Sequence, residues 1–314
     1  MGLAWAFKPI EITHHQSIEL TISKGQSAQQ IAQAWVDAGL DTSATALTIL
    51  FRLSGKARTI QASSYVLDQP ISPWQLLSKM QKGEGTFHKF RIIEGWTFQQ
   101  IRQALQNAQG LQNTISHLSD LQVMQAIGAP TATAEGWFFP DTYFYAAGVR
   151  DVVVLRQAYQ AMQAQLNETW QVRSASSILK TPYEALILAS IVEKETGLAG
   201  DRGQIAGVFN NRLRLGMPLQ TDPTVIYGLG EGFDGNLRKH HLQSDTPHNT
   251  YTRRGLPTTP IAMPSLAALQ AAIQPADTKA LYFVAKGDGS SAFSQTLEQH
   301  NAAVRKYQIQ RQQP

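Results

Sequence analysis

The hydrophobic and polar positions divide the chain into a short first part and a longer second part. In the first part, the alternating sequence SIELTIS predicts a strand, and the spacing of Ile31, Trp35 and Leu40 predicts a helix. The elements predicted here are a strand over residues 17–23, helices over 25–40 and 42–54, a strand around 65–66, a helix over 72–80 and a strand over 87–93. The strand–helix–helix–strand order over residues 15–70 is typical of a small binding or spacer module.

The second part is longer and mostly helical. Helices are predicted over residues 98–108, 118–127, 151–172, 181–197, 202–215, 265–273 and 296 to about 309. Two strands, over 281–286 and 292–294, are separated by Gly287-Asp288-Gly289, which is a hairpin signal. Because the pattern changes near residue 94, we predict an α+β protein with one domain over 1–93 and a second over 94–314.

The helix predicted over residues 181–197 has recognisable ends. Thr181 is placed as its N-cap, Pro182 takes the first helical position, and Glu184 completes a capping box. Gly197 follows the last apolar turn, where a glycine in the left-handed conformation commonly ends a helix. We therefore expect one continuous helix between these two caps.

One charged residue lies on the apolar face of this helix. At about 100° per residue, Leu188, Ile191 and Val192 fall on one stripe. Glu195 projects into the middle of that stripe, whereas Glu193 points away from it. Burial and the negative end of the helix dipole both raise the pKa of a carboxyl group at this position. Since a general acid needs such a pKa at neutral pH, Glu195 is the candidate catalytic residue.

Composition narrows the class of protein. The chain has 314 residues, of which 43% are hydrophobic and 16% charged, as in a globular protein of one large or two ordinary domains. The net charge is +4, and Lys and Arg form only short clusters, so we predict no nucleic-acid partner. Mild basicity suits an anionic polymer or a membrane surface equally well. The absence of cysteine excludes disulfides, thiolate nucleophiles and Cys-ligated zinc.

An aromatic segment supplies the first candidate binding residues. Six of the eleven residues from Glu135 to Tyr145 are aromatic, and Glu135 and Tyr143 belong to this run. Aromatic faces interleaved with carboxylates suit sugar rings, whose axial C–H groups pack on them. A wedge of core at a domain hinge would have the same composition, and both interpretations remain open.

Two further polar segments, over residues 219–228 and 248–260, have hydrogen-bonding groups that a core loop does not need. Prolines make the second of them a rigid loop, which is a common place for a polar constellation. Asp222 precedes Pro223 and is expected to be the N-cap of a short helix. The candidate substrate-binding residues of these segments are Gln220, Thr221, Asp222, Tyr227, Asn249 and Tyr251.

Other chemistries lack support in the sequence. We expect Glu193 to form a structural ion pair on the solvated face of its helix. His240 and His241 are adjacent and belong to no His-Glu-x-x-His motif, so no metal site is predicted. The chain contains neither a phosphate-binding P-loop nor a nucleophile elbow. No cofactor is therefore predicted.

Together these segments closely resemble the endolytic murein transglycosylases, the YceG-like or MltG family. The resemblance covers most of residues 94–310, and the combination of EKET with LQTDPTVIYG is its most specific part. The matching stretches are residues 135–145, 189–197, 208–228, 249–251, 255–264, 281–294 and 300–301. The family also has a membrane-proximal, LysM-like small domain, to which the pattern of residues 15–70 is similar.

The resemblance implies a reaction and a location. The implied fold is a small LysM-like βααβ domain followed by a mixed helical and β catalytic domain with a lysozyme-like active-site helix. The implied activity is cleavage of the β-1,4 bond between N-acetylmuramic acid and N-acetylglucosamine inside peptidoglycan strands, which leaves a 1,6-anhydro end and terminates strand elongation. Glu195 matches the family's catalytic glutamate. The absence of a well-placed second acid favours lysis over hydrolysis.

Partners and place in the cell are implied in the same way. Peptidoglycan strands are the expected substrate, and peptidoglycan synthases are expected partners. Family members are held in the bacterial inner membrane by one N-terminal helix, with the catalytic part on the periplasmic side. This chain contains no such helix, so we expect a trimmed or misassigned start.

One departure from the family pattern and two competing interpretations remain. Family members commonly have a histidine shortly before Phe293, where this chain has Ser290, Ser291 and Ala292. A non-enzymatic cell-wall scaffold would keep Glu195 as a satisfied buried acid. A hydrolytic muramidase would add water to the same bond.

Overall fold

A computed structural model describes residues 2–12, 18–23, 25–67, 69–85, 87–131, 133–174 and 177–309. The chain folds into two compact units. The first comprises Met1–Phe90, Leu105–Thr114 and Thr142–Val154, and the second comprises Arg91–Ala104, Ile115–Asp141 and Leu155–Pro314. The chain thus leaves the first unit at Phe90 but returns to it twice, which differs from a sequential division into residues 1–93 and 94–314.

The first unit contains the predicted strand–helix–helix–strand order. Strands β1 and β2 pair antiparallel, with Ile18 opposite Leu67, and Trp35 is fully buried in the core beneath them. Residue 17, which we included in the first strand, lies outside the described residues. The elements up to residue 91 are α1 (Gly2–Trp5), β1 (Ile18–Ile22), α2 (Ala28–Asp37), α3 (Ala44–Leu53), β2 (Ser63–Leu67), α4 (Pro73–Lys82) and β3 (His88–Arg91).

Local chemistry determines where the helices of this unit begin. Ser27, Ser43 and Ser72 are the N-caps of α2, α3 and α4, and each side chain accepts a hydrogen bond from a backbone N–H of the first turn. Helix α4 ends at Gly83, whose φ of 67° lies in the left-handed region that favours glycine. These signals are local, which explains why the helix positions were predictable from the sequence.

The two segments that return to the first unit contain short strands that sequence analysis did not predict. Strand β4 (Leu111–Gln112) pairs parallel with β6 (Val149–Arg150), and β5 (Thr142–Tyr145) pairs with β3. Part of the aromatic segment over residues 135–145 is therefore strand, and Tyr143 and Tyr145 are buried in it.

Helices dominate the remainder of the chain. The hairpin β7–β8 is antiparallel, with Phe283 opposite Phe293, and confirms the predicted turn at residues 287–289. The remaining elements are α5 (Phe98–Gln106), α6 (Asp120–Ile127), α7 (Asp151–Gln171), α8 (Pro182–Glu195), α9 (Arg202–Arg214), α10 (Asp222–Leu229), α11 (Lys239–Gln243), α12 (Leu266–Ile273), β7 (Tyr282–Ala285), β8 (Ser291–Ser294) and α13 (Leu297–Val304).

Helix α8 lies at the centre of the second unit and packs against α12 and α9. Every residue from Ala185 to Val192 is buried. The expectation of a single apolar stripe was therefore too narrow, because neighbouring elements cover the helix on all sides. Its two end turns, at residues 182–184 and 193–195, are partly exposed, and the second of them carries Glu195.

The ends of α8 differ in detail from the prediction. Thr181 accepts from the Glu184 N–H at 3.1 Å, as an N-cap does, but the Glu184 carboxylate accepts from the N–H of Lys180 and not of Thr181. The prediction of Gly197 as the C-cap is wrong. Thr196 ends the helix with φ of −84°, and both its N–H and its hydroxyl donate to the Val192 carbonyl, so a left-handed residue is not needed.

Among the helices of the described residues, none has both the length and the apolar character needed to cross a membrane.

Candidate active site

A cavity of about 570 Å³ opens at the C-terminal end of α8, and Glu195 lines it. Its walls come from the loop before α10, from Tyr251, from the β7–β8 hairpin and from α13. The hydrogen-bonding and aromatic side chains that line the cavity belong to Glu195, Phe209, Arg212, Gln220, Thr221, Asp222, Tyr251, Tyr282, Phe283, Ser291, His300 and Gln308. Four of the eight predicted substrate-binding residues, Gln220, Thr221, Asp222 and Tyr251, thus share one cavity with Glu195.

Thr221 is the direct partner of Glu195. Its hydroxyl donates a short hydrogen bond to Oε1 of Glu195, and the threonine itself is buried. Thr221 is also the N-cap residue of α10, yet its side chain makes no capping bond. A capping bond at this position contributes about 1 kcal/mol. The hydroxyl is therefore used to orient the glutamate instead of stabilising its own helix.

Two neighbours and burial together set the protonation of Glu195. Burial raises the pKa of its carboxyl group, because the charged form loses its hydration. The hydrogen bond from Thr221 lowers that pKa, and the negative charge of Asp222 raises it. The net direction is upward, as the helix position predicted. A protonated carboxyl group at this place can act as a general acid.

The opposing contributions of Thr221 and Asp222 lead to a prediction about pH dependence. If Glu195 is the general acid, activity falls as pH rises through its pKa. Thr221→Val removes a bond that favours the carboxylate, so the alkaline limb of kcat/KM should move to higher pH. Asp222→Asn removes a negative charge, so the limb should move to lower pH. Rates of the catalysed reaction across pH measure both, and shifts in the same direction would contradict the assignment.

Predicting Asp222 as an N-cap was wrong by one position. Thr221 takes the N-cap position, and Asp222 is the first residue of α10. The side chain of Asp222 is exposed to the cavity, where Oδ1 accepts a 2.5 Å hydrogen bond from the Tyr251 hydroxyl. Burial and this carboxylate raise the pKa of Tyr251, so its hydroxyl stays protonated. The cavity therefore contains a second carboxyl group beside Glu195, although we expected no well-placed second acid.

The backbone before Thr221 is strained. Gln220 has φ of 51°, the left-handed region, and no other non-glycine residue in the described part of the chain does. Its N–H donates to the Thr250 carbonyl at 3.1 Å, and its side-chain oxygen accepts from Arg212 at 3.3 Å. These two contacts hold the unusual conformation. Strain of about 1–3 kcal/mol is often concentrated at functional sites, and here it directs Thr221 towards Glu195.

Arg212, in α9, holds the same loop from the other side. It is buried, and its guanidinium group donates to the carbonyl oxygens of Leu281 at 2.7 Å, Leu219 at 2.9 Å and Pro218 at 3.2 Å. The planar fork of donors in arginine suits several acceptors at fixed angles. Sequence analysis did not single out Arg212, because nothing near it in the chain shows that its acceptors lie up to 69 residues away.

Thr250 is a second residue that sequence analysis missed. Its hydroxyl accepts from the Thr221 N–H at 3.1 Å and shares a hydrogen bond with the Thr224 hydroxyl at 2.9 Å. Both threonines at the start of α10 are thus tied to the loop before Tyr251. The residue lies inside the predicted polar segment, but only the folded arrangement distinguishes it from its neighbours.

The wall formed by β7 and α13 is aromatic. The ring of Tyr282 stacks on His300 with centroids 5.2 Å apart, and the Arg212 guanidinium lies 5.0 Å from the Tyr282 centroid. Burial and the positive charge of Arg212 lower the pKa of His300. Ser291 also lines the cavity.

The side chain of Asn249 makes hydrogen bonds within the fold and does not line this cavity. Its amide nitrogen donates to the carbonyls of His241, Leu242 and Ser244, and its amide oxygen accepts from the Tyr251 N–H at 2.8 Å. The side chain is completely buried. It therefore closes the end of α11 and positions Tyr251, and its contact with substrate stays a prediction.

Glu135 and Tyr227 line a different cavity of about 900 Å³ in the second unit. Both carboxylate oxygens of Glu135 accept from the Phe98 N–H, at 3.1 and 3.2 Å, which caps α5. Burial raises the pKa of Glu135 to about 7, although its bonds to Phe98 and Tyr227 oppose that rise. Tyr143 lies in β5 of the first unit, where it is buried. These three predicted residues therefore do not line the cavity that contains Glu195.

Glu193 is structural, but not in the expected way. Its carboxylate accepts from the N–H and the hydroxyl of Ser265, the N-cap residue of α12. The predicted ion pair is not present among the described residues, where Lys194 donates instead to the Gly95 carbonyl at 3.3 Å. In the same part of the chain, no group of three histidine or acidic side chains is arranged to hold a metal.

Comparison with known proteins connects this cavity to a family. The model of the YceG-like family matches residues 20–306. The chain belongs to the YceG-like family. A relative from Bacillus subtilis named endolytic murein transglycosylase is 30% identical over 323 residues, which span 96% of this chain and 87% of that protein.

Two further comparisons agree with this membership. A protein from Streptococcus pneumoniae, also named endolytic murein transglycosylase, is 28% identical over 94% of this chain, which spans only 59% of that longer relative. A crystal structure of a YceG-like protein from Listeria monocytogenes superposes with a TM-score of 0.56 at 28% identity. It covers 91% of this YceG-like chain and 98% of the Listeria chain.

Proposed function

We propose that the protein is an endolytic murein transglycosylase, which cuts glycan strands of peptidoglycan at internal bonds. The observation that carries the proposal is Glu195, whose carboxyl group has a raised pKa, lies in an open cavity and is oriented by Thr221. The names of its relatives from Bacillus and Streptococcus support the same activity.

The mechanism uses one carboxyl group twice. Protonated Glu195 donates its proton to the oxygen of the β-1,4 bond as that bond breaks. The resulting carboxylate then accepts the proton of the 6-hydroxyl of N-acetylmuramic acid, whose oxygen attacks C1 and closes the 1,6-anhydro ring. Thr221 stabilises the carboxylate between the two steps, because its hydroxyl donates to Oε1. No water is consumed.

Substrate orientation is assigned to the groups that line the cavity. Gln220, Asp222 and Tyr251 present hydrogen-bonding atoms beside Glu195, and the Tyr251 hydroxyl is held in place by Asp222. An open cavity lined by such groups suits a polymer of hydroxyl-rich sugars with N-acetyl groups.

The Asp222 carboxylate also favours a second candidate, a hydrolytic muramidase. Hydrolytic glycosidases use a pair of carboxyl groups on the two sides of the bond that breaks. Asp222 lines the same cavity as Glu195, but its oxygen accepts from Tyr251 at 2.5 Å. This bond restrains it from acting as a nucleophile or base. We therefore rank lysis first.

The finer features follow from the family pattern. The helix that ends at Glu195 is the lysozyme-like active-site helix, and the βααβ part of the first unit is LysM-like and membrane-proximal. The catalytic part works on the periplasmic side of the bacterial inner membrane, next to peptidoglycan synthases, and ends strand elongation. Motif similarity over residues 135–301 supports the assignment of the helix and the place of action, and the strand–helix–helix–strand pattern of residues 15–70 supports the LysM-like assignment.

Digestion of isolated peptidoglycan tests the proposed function. The expected products are strands cut at internal positions, each with one 1,6-anhydro end, and mass spectrometry after separation by length identifies both features. Release of single disaccharides from strand ends would contradict endolytic cleavage. Binding to strands without any new end would instead support the scaffold interpretation.

A further inference from the structure

The first unit carries an apolar groove of about 560 Å³ that plays no part in the proposed reaction. All of its lining residues lie between α1 and α4, in the unit that does not contain Glu195. The groove is lined by Trp5, Ala6, Ala46, Ile49, Leu50, Leu53, Ser54 and Trp74.

Large apolar side chains around this groove are exposed. Leu53 is 83% exposed, Ile49 is 52% exposed, and Phe7, whose ring contacts Trp74, is 59% exposed. Single exposed apolar residues are common on protein surfaces, but a contiguous apolar patch indicates a binding surface. In α3, Ile49 and Leu53 are four residues apart and so lie on one face of the helix.

An aromatic and cationic cluster forms one edge of the groove. The ring centroids of Phe7 and Trp74 are 5.8 Å apart, and Lys56 Nζ lies 4.8 Å from the Trp74 centroid. Tryptophan beside lysine is typical of side chains at the boundary between lipid tails and headgroups, where the apolar part is buried and the charge stays in water.

Cations predominate in the segments that form the groove. Residues 2–10, 42–67 and 69–83, which contain every lining residue, include no aspartate or glutamate, although Glu11, Asp41, Asp68 and Glu84 directly adjoin these ranges in the chain. The cations of the first two segments are Lys8, Arg52, Lys56 and Arg58, and all four are exposed. Such a cationic rim attracts anionic headgroups. Against a second copy of the same surface, it would place like charges opposite one another.

We propose that this groove and its cationic rim bind the surface of a lipid bilayer containing anionic headgroups. The exposed side chains of Phe7, Ile49 and Leu53 enter the boundary with the acyl chains, and the rim contacts phosphate groups. This binding by a folded domain needs no membrane-spanning helix. It also does not depend on the chemistry of Glu195.

Co-sedimentation of the full chain with vesicles tests the proposal. The wild-type chain should bind vesicles of phosphatidylglycerol and phosphatidylethanolamine, bind phosphatidylcholine vesicles more weakly, and dissociate at high salt. Leu53→Ser should weaken binding about tenfold, because it removes the most exposed apolar side chain. Lys56→Gln should weaken binding to the anionic vesicles about fivefold.

Leu215→Ser is the matched control, since Leu215 is 63% exposed but belongs to the second unit. The Leu215→Ser variant should bind vesicles as well as the wild type does. Glu195→Gln should also bind vesicles like the wild type, so that a failure of the proposed function and a failure of this proposal can be distinguished. Circular dichroism verifies that each variant is folded. The proposal is overturned by absence of wild-type binding or by unchanged binding of Leu53→Ser. It is equally overturned by a wild-type dimer that Leu53→Ser converts to monomer.

Discussion

Glu195→Gln should reduce the release of anhydro products by about 10³-fold or more, because in the proposed mechanism one carboxyl group serves as both acid and base. Glutamine keeps an oxygen that can accept the hydrogen bond from Thr221. It removes only the ability to donate and recover a proton. Unfolding temperature should be unchanged or higher, since a carboxyl group that resists ionisation is replaced by a neutral amide.

Glu193→Gln is the matched control on the same helix. Glu193 accepts from Ser265, and glutamine retains an acceptor for those bonds. Activity should therefore stay close to that of the wild type, with at most a small loss of stability. If Glu193→Gln were inactive and Glu195→Gln active, the assignment of the catalytic residue would be reversed.

Arg212→Met should lower the free energy of unfolding by about 3 kcal/mol or more, because buried carbonyl groups lose their donors. The affected acceptors are the carbonyl oxygens of Leu281, Leu219 and Pro218. Methionine fills similar volume but donates no hydrogen bond. Activity should fall beyond the loss of folded protein, since the loop that positions Thr221 is released. Chemical denaturation and rates per folded molecule measure the two effects.

Two other substitutions separate the geometry of Arg212 from its charge. Arg212→Lys keeps the positive charge but lacks the planar fork, so most of the destabilisation should remain. Arg214→Met changes an exposed arginine two residues further along α9, and its effect should stay within about 0.5 kcal/mol. Equal destabilisation by the substitutions at 212 and 214 would contradict the role of Arg212 in holding the loop before α10.

Sequence patterns predicted the parts of this structure that depend on local interactions. The bounds of α2, α3, α4 and α8 follow from caps and apolar spacing within a few residues of each end. The upward shift of the Glu195 pKa was predicted for the same reason, because helix periodicity places the carboxyl group against apolar neighbours. This prediction used only the position of the glutamate in the last turn of an apolar helix and did not require the positions of distant segments.

The remainder depends on contacts between residues far apart in the chain. Tyr143 was grouped with the binding residues by composition, but strand pairing of β5 with β3 buries it in the first unit. Asn249 was grouped with the sugar ligands by its polar segment, and the fold adds three backbone carbonyls as acceptors for its amide nitrogen. Arg212 and Thr250 each have a partner far along the chain, Leu281 at 69 residues and Thr221 at 29 residues, and no local pattern encodes these contacts.

The second carboxylate in the cavity changes how the mechanism must be tested. The sequence suggested a lone acid, whereas Asp222 lines the same space and raises the pKa of Glu195. Because Asp222 accepts a hydrogen bond from Tyr251, we assign it the roles of raising the Glu195 pKa and orienting Tyr251, and not the role of activating water. Product masses distinguish these roles directly.

The most direct test is digestion of peptidoglycan in water enriched in heavy oxygen. In the proposed mechanism, Glu195 is the only acid and base, and the 6-hydroxyl of the substrate attacks C1. The new ends should then be lighter than hydrolysed ends by one water and should contain no heavy oxygen. New reducing ends labelled with heavy oxygen at the anomeric carbon would contradict this account and assign hydrolysis to the cavity.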